Sequence, residues 1–173
     1  MRVGLVSDTH GRVDHHLHRL FEGCALILHG GDVADEDVLD ELRLIAPVEA
    51  VRGNNDVGPW ADALPELRVV EVGALRALLV HQLPAPERPD RRVARALARD
   101  RPELVLFGHS HRPLVARLDG VLFVNPGSAG PRRFSLPRTA GILELEGRRA
   151  RLALFELSGA APAPFGRPFE AEL

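Results

Sequence analysis

Residues 3–10 read Val3-Gly4-Leu5-Val6-Ser7-Asp8-Thr9-His10, an apolar run that ends in polar groups a strand has no need of. The arrangement returns twice. Ala25-Leu26-Ile27-Leu28 leads to Gly30-Gly31-Asp32, and the apolar run 48–51 leads to Gly53-Asn54-Asn55-Asp56. Between these runs Val13, Leu17, Leu20 and Phe21, then Val38, Leu39, Leu42 and Ile45, recur at helical spacing, the second set ending before Pro47. A β-α-β-α-β order implies a parallel sheet with covering helices. Open α/β sheets place ligands at the carboxyl ends of their strands, so the three polar loops are expected to converge.

The second half reads differently. Runs 67–72 and 75–80 form a hairpin around Gly73-Ala74, and 89–100 is an Arg-rich amphipathic helix whose Arg91, Arg92, Arg95 and Arg99 face water. A buried strand is expected at 104–107, with further strands at 114–118, 121–124, 141–145 and 150–157. So many strands in one small domain predict two packed sheets with helices outside. From Ser158 the chain turns Gly/Pro/Ala-rich, which predicts a domain over 1–157 and a loose C-terminal tail over 158–173.

Composition removes mechanisms. The 173 residues include 22 basic groups, all arginine, eight histidines, one cysteine and no tyrosine. Without lysine there is no P-loop and no Schiff base. Cys24 alone makes neither an internal disulfide nor a Cys-rich zinc site, which points to a reducing cytoplasm. A net charge of −2 speaks against dedicated nucleic-acid binding, and no apolar stretch approaches the roughly 20 residues of a membrane-spanning helix.

Histidine remains. The 75–80 strand ends at His81, and the 104–107 strand at Gly108-His109-Ser110-His111. Five strand ends therefore carry Asp8, His10, Asp32, Asn54, His81, His109 and His111, enough donors for two metal ions. Residues two apart on extended chain share a face, so Asp8 with His10, and His109 with His111, can each chelate one ion. Asp32, ending the central strand, is the candidate to bridge both ions. Two metals roughly 3.5–4 Å apart serve in-line displacement at phosphorus, and their surplus charge suits an anionic phosphate ester.

Asp-x-His, Gly-Asp, Gly-Asn-x-Asp, a lone His after a strand and Gly-His-x-His, in that order, resemble the calcineurin-like metallophosphoesterase superfamily, and most of all its small prokaryotic phosphodiesterases. The resemblance spans residues 1 to about 157 and implies an α/β fold, a four-layer α-β-β-α sandwich of two mixed sheets flanked by helices. It implies that Asp8, His10, Asp32 and His111 bind one divalent ion, and that Asp32, Asn54, His81 and His109 bind the other. Manganese suits this thiolate-free set best, with iron, nickel or zinc as alternatives. By the same resemblance, a metal-bridging hydroxide held near Asp8 and His10 attacks a small phosphate ester, a diester in preference to a monoester. Asn125-Pro126-Gly127-Ser128 resembles a family loop beside the metals.

Two positions depart from the pattern. Asn55 stands where many members carry a histidine, and an amide cannot serve as a general acid near neutral pH. Its expected role is to contact a phosphate oxygen. Leu83 stands where close relatives often have a second histidine, which is expected to alter substrate contacts. Arg132 and Arg133 are candidates to hold a substrate phosphate bidentately. His15, His16 and His18 are expected to be solvated or to pack on the first helix, His29 to support the centre or the core, and Trp60 to cap the core. The competing reading is a non-catalytic metal-binding scaffold of the same fold. A DNA nuclease is disfavoured by the missing basic surplus. Exposed strand edges would allow a homodimer or higher oligomer.

Overall fold

Val3 and Leu5 alternate with Gly4 and Val6 along one strand, so each face of that strand has its own apolar layer to meet. The computed structural model describes residues 1–133 and 135–173. Within them the order is β1 (Arg2–Val6), α1 (His15–Leu20), β2 (Leu26–His29), α2 (Glu36–Arg43), β3 (Val48–Ala50), α3 (Pro59–Asp62), β4 (Leu67–Val72), β5 (Leu75–Val80), α4 (Arg91–Asp100), β6 (Leu104–Leu106), β7 (Leu114–Leu118), β8 (Val121–Asn125), β9 (Thr139–Glu146), β10 (Arg149–Glu156) and β11 (Ala163–Glu172).

Two mixed sheets result. One runs β11-β10-β9-β1-β2-β3 and the other β4-β5-β6-β8-β7. The strands β1, β2 and β3 are parallel, as are β5, β6 and β8, so both sheets send the carboxyl ends of parallel strands into loops. Val3, Leu5 and Leu28 of the first sheet bury against the cluster that holds Leu79, Leu104 and Val124 of the second. Beyond the first sheet, Leu17, Phe21, Leu39 and Leu42 of the α1 and α2 region cover Val6 and Ile27. Beyond the second, Val93 and Ala96 of α4 cover Leu78, Val105 and Phe123. This is the expected α-β-β-α sandwich. Gly4 makes one contact possible, since a Cβ there would stand 2.9 Å from the buried Phe21 ring.

The helices start where short side chains cap them. Asp14, Asp35 and Asp90 each accept a backbone N–H of the first turn of α1, α2 and α4. Asp14 is also ion-paired with Arg138, whose Nε donates to the carbonyl of Gly130 at 2.7 Å, so the start of α1 is tied to the loop after β8. Trp60, on the short α3, packs partly buried against the α1–α2 side of the core.

The C-terminal segment corrects the expected loose tail. Residues 163–172 form β11, antiparallel to β10 along its length, with Phe165 opposite Leu154 and Phe169 opposite Leu152. Phe169 and Ala171 pack against the core between the sheets. Composition pointed the wrong way because Pro and Gly are admissible on an edge strand, where only one side needs hydrogen bonds. Pro164 and Gly166 sit on such an edge. No described helix is long and apolar enough to cross a membrane.

Candidate metal centre

The loops after β1, β2 and β3 come from the first sheet, and those after β5 and β6 from the second; together they bring two donor groups side by side. Asp8, His10 and His111 form one group and Asp32, His81 and His109 the other, each with its ligand atoms within 4.8 Å of one another. In the first, the Nε2 atoms of His10 and His111 face each other at 3.1 Å, and His111 Nε2 lies 3.2 Å from Asp8 Oδ1. In the second, His81 Nε2 lies 3.3 Å from Asp32 Oδ1 and 3.1 Å from Asn54 Oδ1. Asp32 stands between them, its Oδ2 3.9 Å from His10 Nε2.

His109 and His111 fall in different donor groups, the division implied by the resemblance and not the shared chelate suggested by their i, i+2 spacing. The i, i+2 argument assumed extended chain. Instead φ is +67° at His109 and +57° at His111. Asp8 (+55°), His10 (+49°) and Asp32 (+55°) are also left-handed, so five of the eight described non-glycine residues with positive φ belong to the proposed ligand set. Such conformations cost about 1–3 kcal/mol each and survive only where the surroundings fix them. The surroundings do so here. Asp8 N–H donates to the Gly31 carbonyl at 2.9 Å, and His10 N–H to the Asp32 carbonyl at 3.1 Å. The His109 N–H is held by the Asp8 carboxylate. Gly108 is required at its place, because a Cβ there would collide with Ser7 Oγ and the Asp8 carboxylate.

Hydrogen bonds assign the imidazoles. His81 Nδ1 donates to the Gly30 carbonyl at 2.8 Å, which turns Nε2 toward Asp32 and Asn54, where it donates when the ring is protonated and offers a lone pair when it is neutral. Fully buried His29 accepts from Gly31 N–H through Nδ1 and donates from Nε2 to Thr9 Oγ1 at 3.0 Å. Burial pushes its pKa down to about 4, so it stays neutral and couples the Asp8–His10 loop to the loop before Asp32. For Asp32, burial alone would favour the protonated acid, but hydrogen bonds from His81 and Asn55 outweigh it and hold the carboxyl far below its usual range. His81 responds in the opposite sense: burial opposes its charge, and the neighbouring Asp32 raises its pKa. Burial, then the nearby Arg133, lowers that of His10. Asp32 thus attracts positive charge at a point ringed by imidazole lone pairs. Two carboxylates, an amide oxygen and four imidazoles form a hard-to-borderline donor set that suits a divalent cation.

The remaining candidates fall as follows. Asn55 directs both its backbone N–H (2.8 Å) and its amide Nδ2 (2.6 Å) at Asp32. Arg133 is exposed, with Nη2 3.5 Å from His10 Nδ1, and Arg132 is exposed beside it. Leu83 is buried in the core against α4, so the departure there changes packing. His16 is buried on Asp14, whereas His18 pairs with Glu41 at the surface. Several residues turn out to support the centre in ways their motifs did not specify. Asn125 Nδ2 donates to the Gly108 carbonyl at 2.8 Å and to Ser110 Oγ at 3.1 Å, bracing the His109–His111 loop. Ser7 Oγ donates to Asp8 Oδ2, and Asp56 accepts from Gly53 and Ala34 N–H. The Asn125-Pro126-Gly127-Ser128 motif was the available signal for Asn125; Ser7 had none.

Residues 1–148 match the calcineurin-like phosphoesterase superfamily domain, and the chain belongs to that superfamily. Its small prokaryotic relatives include a probable metallophosphoesterase of Methanothermobacter thermautotrophicus, 32% identical over 155 residues that cover 86% of this chain and 88% of that one. A phosphodiesterase of Methanocaldococcus jannaschii is 26% identical over 90% of this chain and 100% of its own length. In fold the chain is similar to vacuolar protein sorting 29 of Cryptosporidium parvum, with a TM-score of 0.82, 21% identity and coverage of 99% and 98% of the two chains.

Proposed function

We propose that the protein is a dinuclear-metal-dependent phosphodiesterase. The observation that carries this reading is Asp32 standing between two donor groups, each able to hold one divalent ion. Asp8, His10 and His111, with Asp32, would hold one ion, and Asp32 with His81, His109 and Asn54 would hold the second. Manganese is the expected metal, with iron, nickel or zinc also compatible. When bound, such a pair supplies Lewis acidity to a phosphate ester and a water acidic enough to react near neutral pH.

The chain's own residues then have defined tasks. Asn55 fixes the orientation of Asp32 through two N–H groups. His29 and Asn125 set the loops that carry Asp8 and His109. Arg133, beside His10, offers a guanidinium to a non-bridging phosphate oxygen, and Arg132 stands ready as its neighbour. A small diester fits this arrangement better than a long nucleic acid, because the net charge of −2 provides no basic surplus. The M. jannaschii relative's name supports the diesterase assignment.

The test is hydrolysis of bis-p-nitrophenyl and mono-p-nitrophenyl phosphate with Mn, Ni, Zn and Mg, alongside metal analysis of the protein. Asp32→Ala is expected to lose both bound metal and turnover; an active Asp32→Ala would overturn the mechanism. The fold similarity to vacuolar protein sorting 29 favours a second reading, a metal-binding scaffold. Absence of turnover with every metal in a metal-loaded protein would select it.

A further inference from the structure

The two outer helical layers carry opposite charge. On α2, Asp37, Asp40, Glu41 and Leu44 stand at i, i+3, i+4 and i+7, which lines them along one side of the helix. The core takes Val38, Leu39 and Leu42 of the same helix, so this stripe faces outward. Leu44, at its end, is 84% exposed, more than any other large apolar side chain described. Asp40 pairs with Arg43 and Glu41 with His18, whereas Glu36 and Asp37 have no cationic partner among the described residues. On α4, Arg91, Arg95 and Arg99 recur every fourth residue, with Arg92 beside them. Arg92 and Arg99 pair with Glu66 and Asp100, but Arg91 and Arg95 face no carboxylate among the described residues. These arginines border a groove of about 400 Å³ whose apolar lining is Leu67 and Ala96.

The two faces can meet only between molecules. The helix α2 lies outside the first sheet and α4 outside the second, so they point away from each other. We propose that α2 of one copy of this chain docks on α4 of the next, its acidic stripe beside Arg91 and Arg95 and its Leu44 in the Leu67–Ala96 groove. A free phosphate would meet the same guanidiniums but leave the apolar lining uncovered; Leu44 covers it. Because the two surfaces differ and lie on opposite sides, the contact is heterologous and leaves each end of a pair open to a further copy. One helix against another buries less than the roughly 1,200 Å² of a standard interface, so the association is weak. Its attraction, acting between exposed charges, is screened by salt.

Sedimentation equilibrium of the full chain, carried to several hundred micromolar, tests this. In about 10 mM salt, where the screening length is about 30 Å, the weight-average mass should climb with concentration without the plateau of a closed dimer. In about 1 M salt, where that length is about 3 Å, it should return to the monomer's. Leu44→Ala should raise the apparent dissociation constant about tenfold, the scale of one buried leucine side chain. Arg91→Glu/Arg95→Glu on α4 and Asp37→Arg/Asp40→Arg on α2 should each give a monomer. Mixing these two variants should restore association, because each then offers the other the missing charge. All four positions are exposed, so both variants are expected to fold. Monomer at every concentration in low salt, association that either charge-reversed variant retains alone, or a mixture that stays monomeric overturns the proposal. A monomer that instead binds fluorescein-labelled hexaglutamate, and loses it in Arg91→Glu/Arg95→Glu, overturns the second copy as occupant and gives the face to a foreign acidic partner.

Discussion

At position 55 an amide sits where an imidazole is common in the superfamily, and both of its donors are committed to Asp32. Protonation of the departing alcohol is then left without a side-chain acid at that place. Asn55→His should raise turnover of diesters with poor leaving groups, such as alkyl esters, well above any gain with p-nitrophenyl esters. Equal factors for both classes would refute this account. His29 permits a second prediction, on stability. Its native pKa of about 4 lies below the ordinary value of 6.5, so between those pH values the unfolded chain binds a proton that the folded chain refuses. Stability contributed by neutral His29 is thus complete above about pH 6.5 and lost as pH falls toward 4, with a slope of up to about 1.4 kcal/mol per unit. Urea unfolding of chelator-treated protein across this window should show a flatter profile for His29→Gln than for the unmodified chain. The polar strand ends themselves were legible, because Asp, Asn and His after an apolar run have no structural reason to be there. Spacing alone did not show which donor group each histidine joins; only the family resemblance divided them. The division depends on left-handed backbone at His109 and His111, and the bonds holding it come from residues up to 101 positions away.

Among the elements, those with a sharp hydrophobic period were readable to within a few residues: β4, β5 and β7 match the expected bounds, and α4 starts only where Asp90 caps it. The short α3 and the edge strand β11 were not readable. A four-residue helix carries too little periodicity, and β11 is defined by its partner, not by its own composition. Its contribution is measurable. Deleting residues 158–173 should lower the unfolding midpoint, because Phe169 and Ala171 leave the core and β10 becomes an uncovered edge. An exposed edge of this kind invites intermolecular pairing, so light scattering should rise as well. Unchanged midpoint and scattering would mean that β11 is only laid against the sheet.

At the scale of the whole molecule, the donors are shared between the two sheets: Asp8, His10, Asp32 and Asn54 follow strands of one, and His81, His109 and His111 strands of the other. Neither sheet can complete either donor group alone. Manganese at concentrations well above its dissociation constant should therefore raise the midpoint of thermal unfolding, by about 2.7 kcal/mol of added stability at a hundredfold excess for one site. The increment should vanish in Asp32→Ala; an equal increment there would place the ion elsewhere. The donor groups lie at the open end of the apolar layer between the sheets, so an ion held there acts as a rivet through both plates. Mutations that weaken catalysis by loosening the ion would then also let the plates part, and activity and thermal endurance would decline together instead of trading against each other.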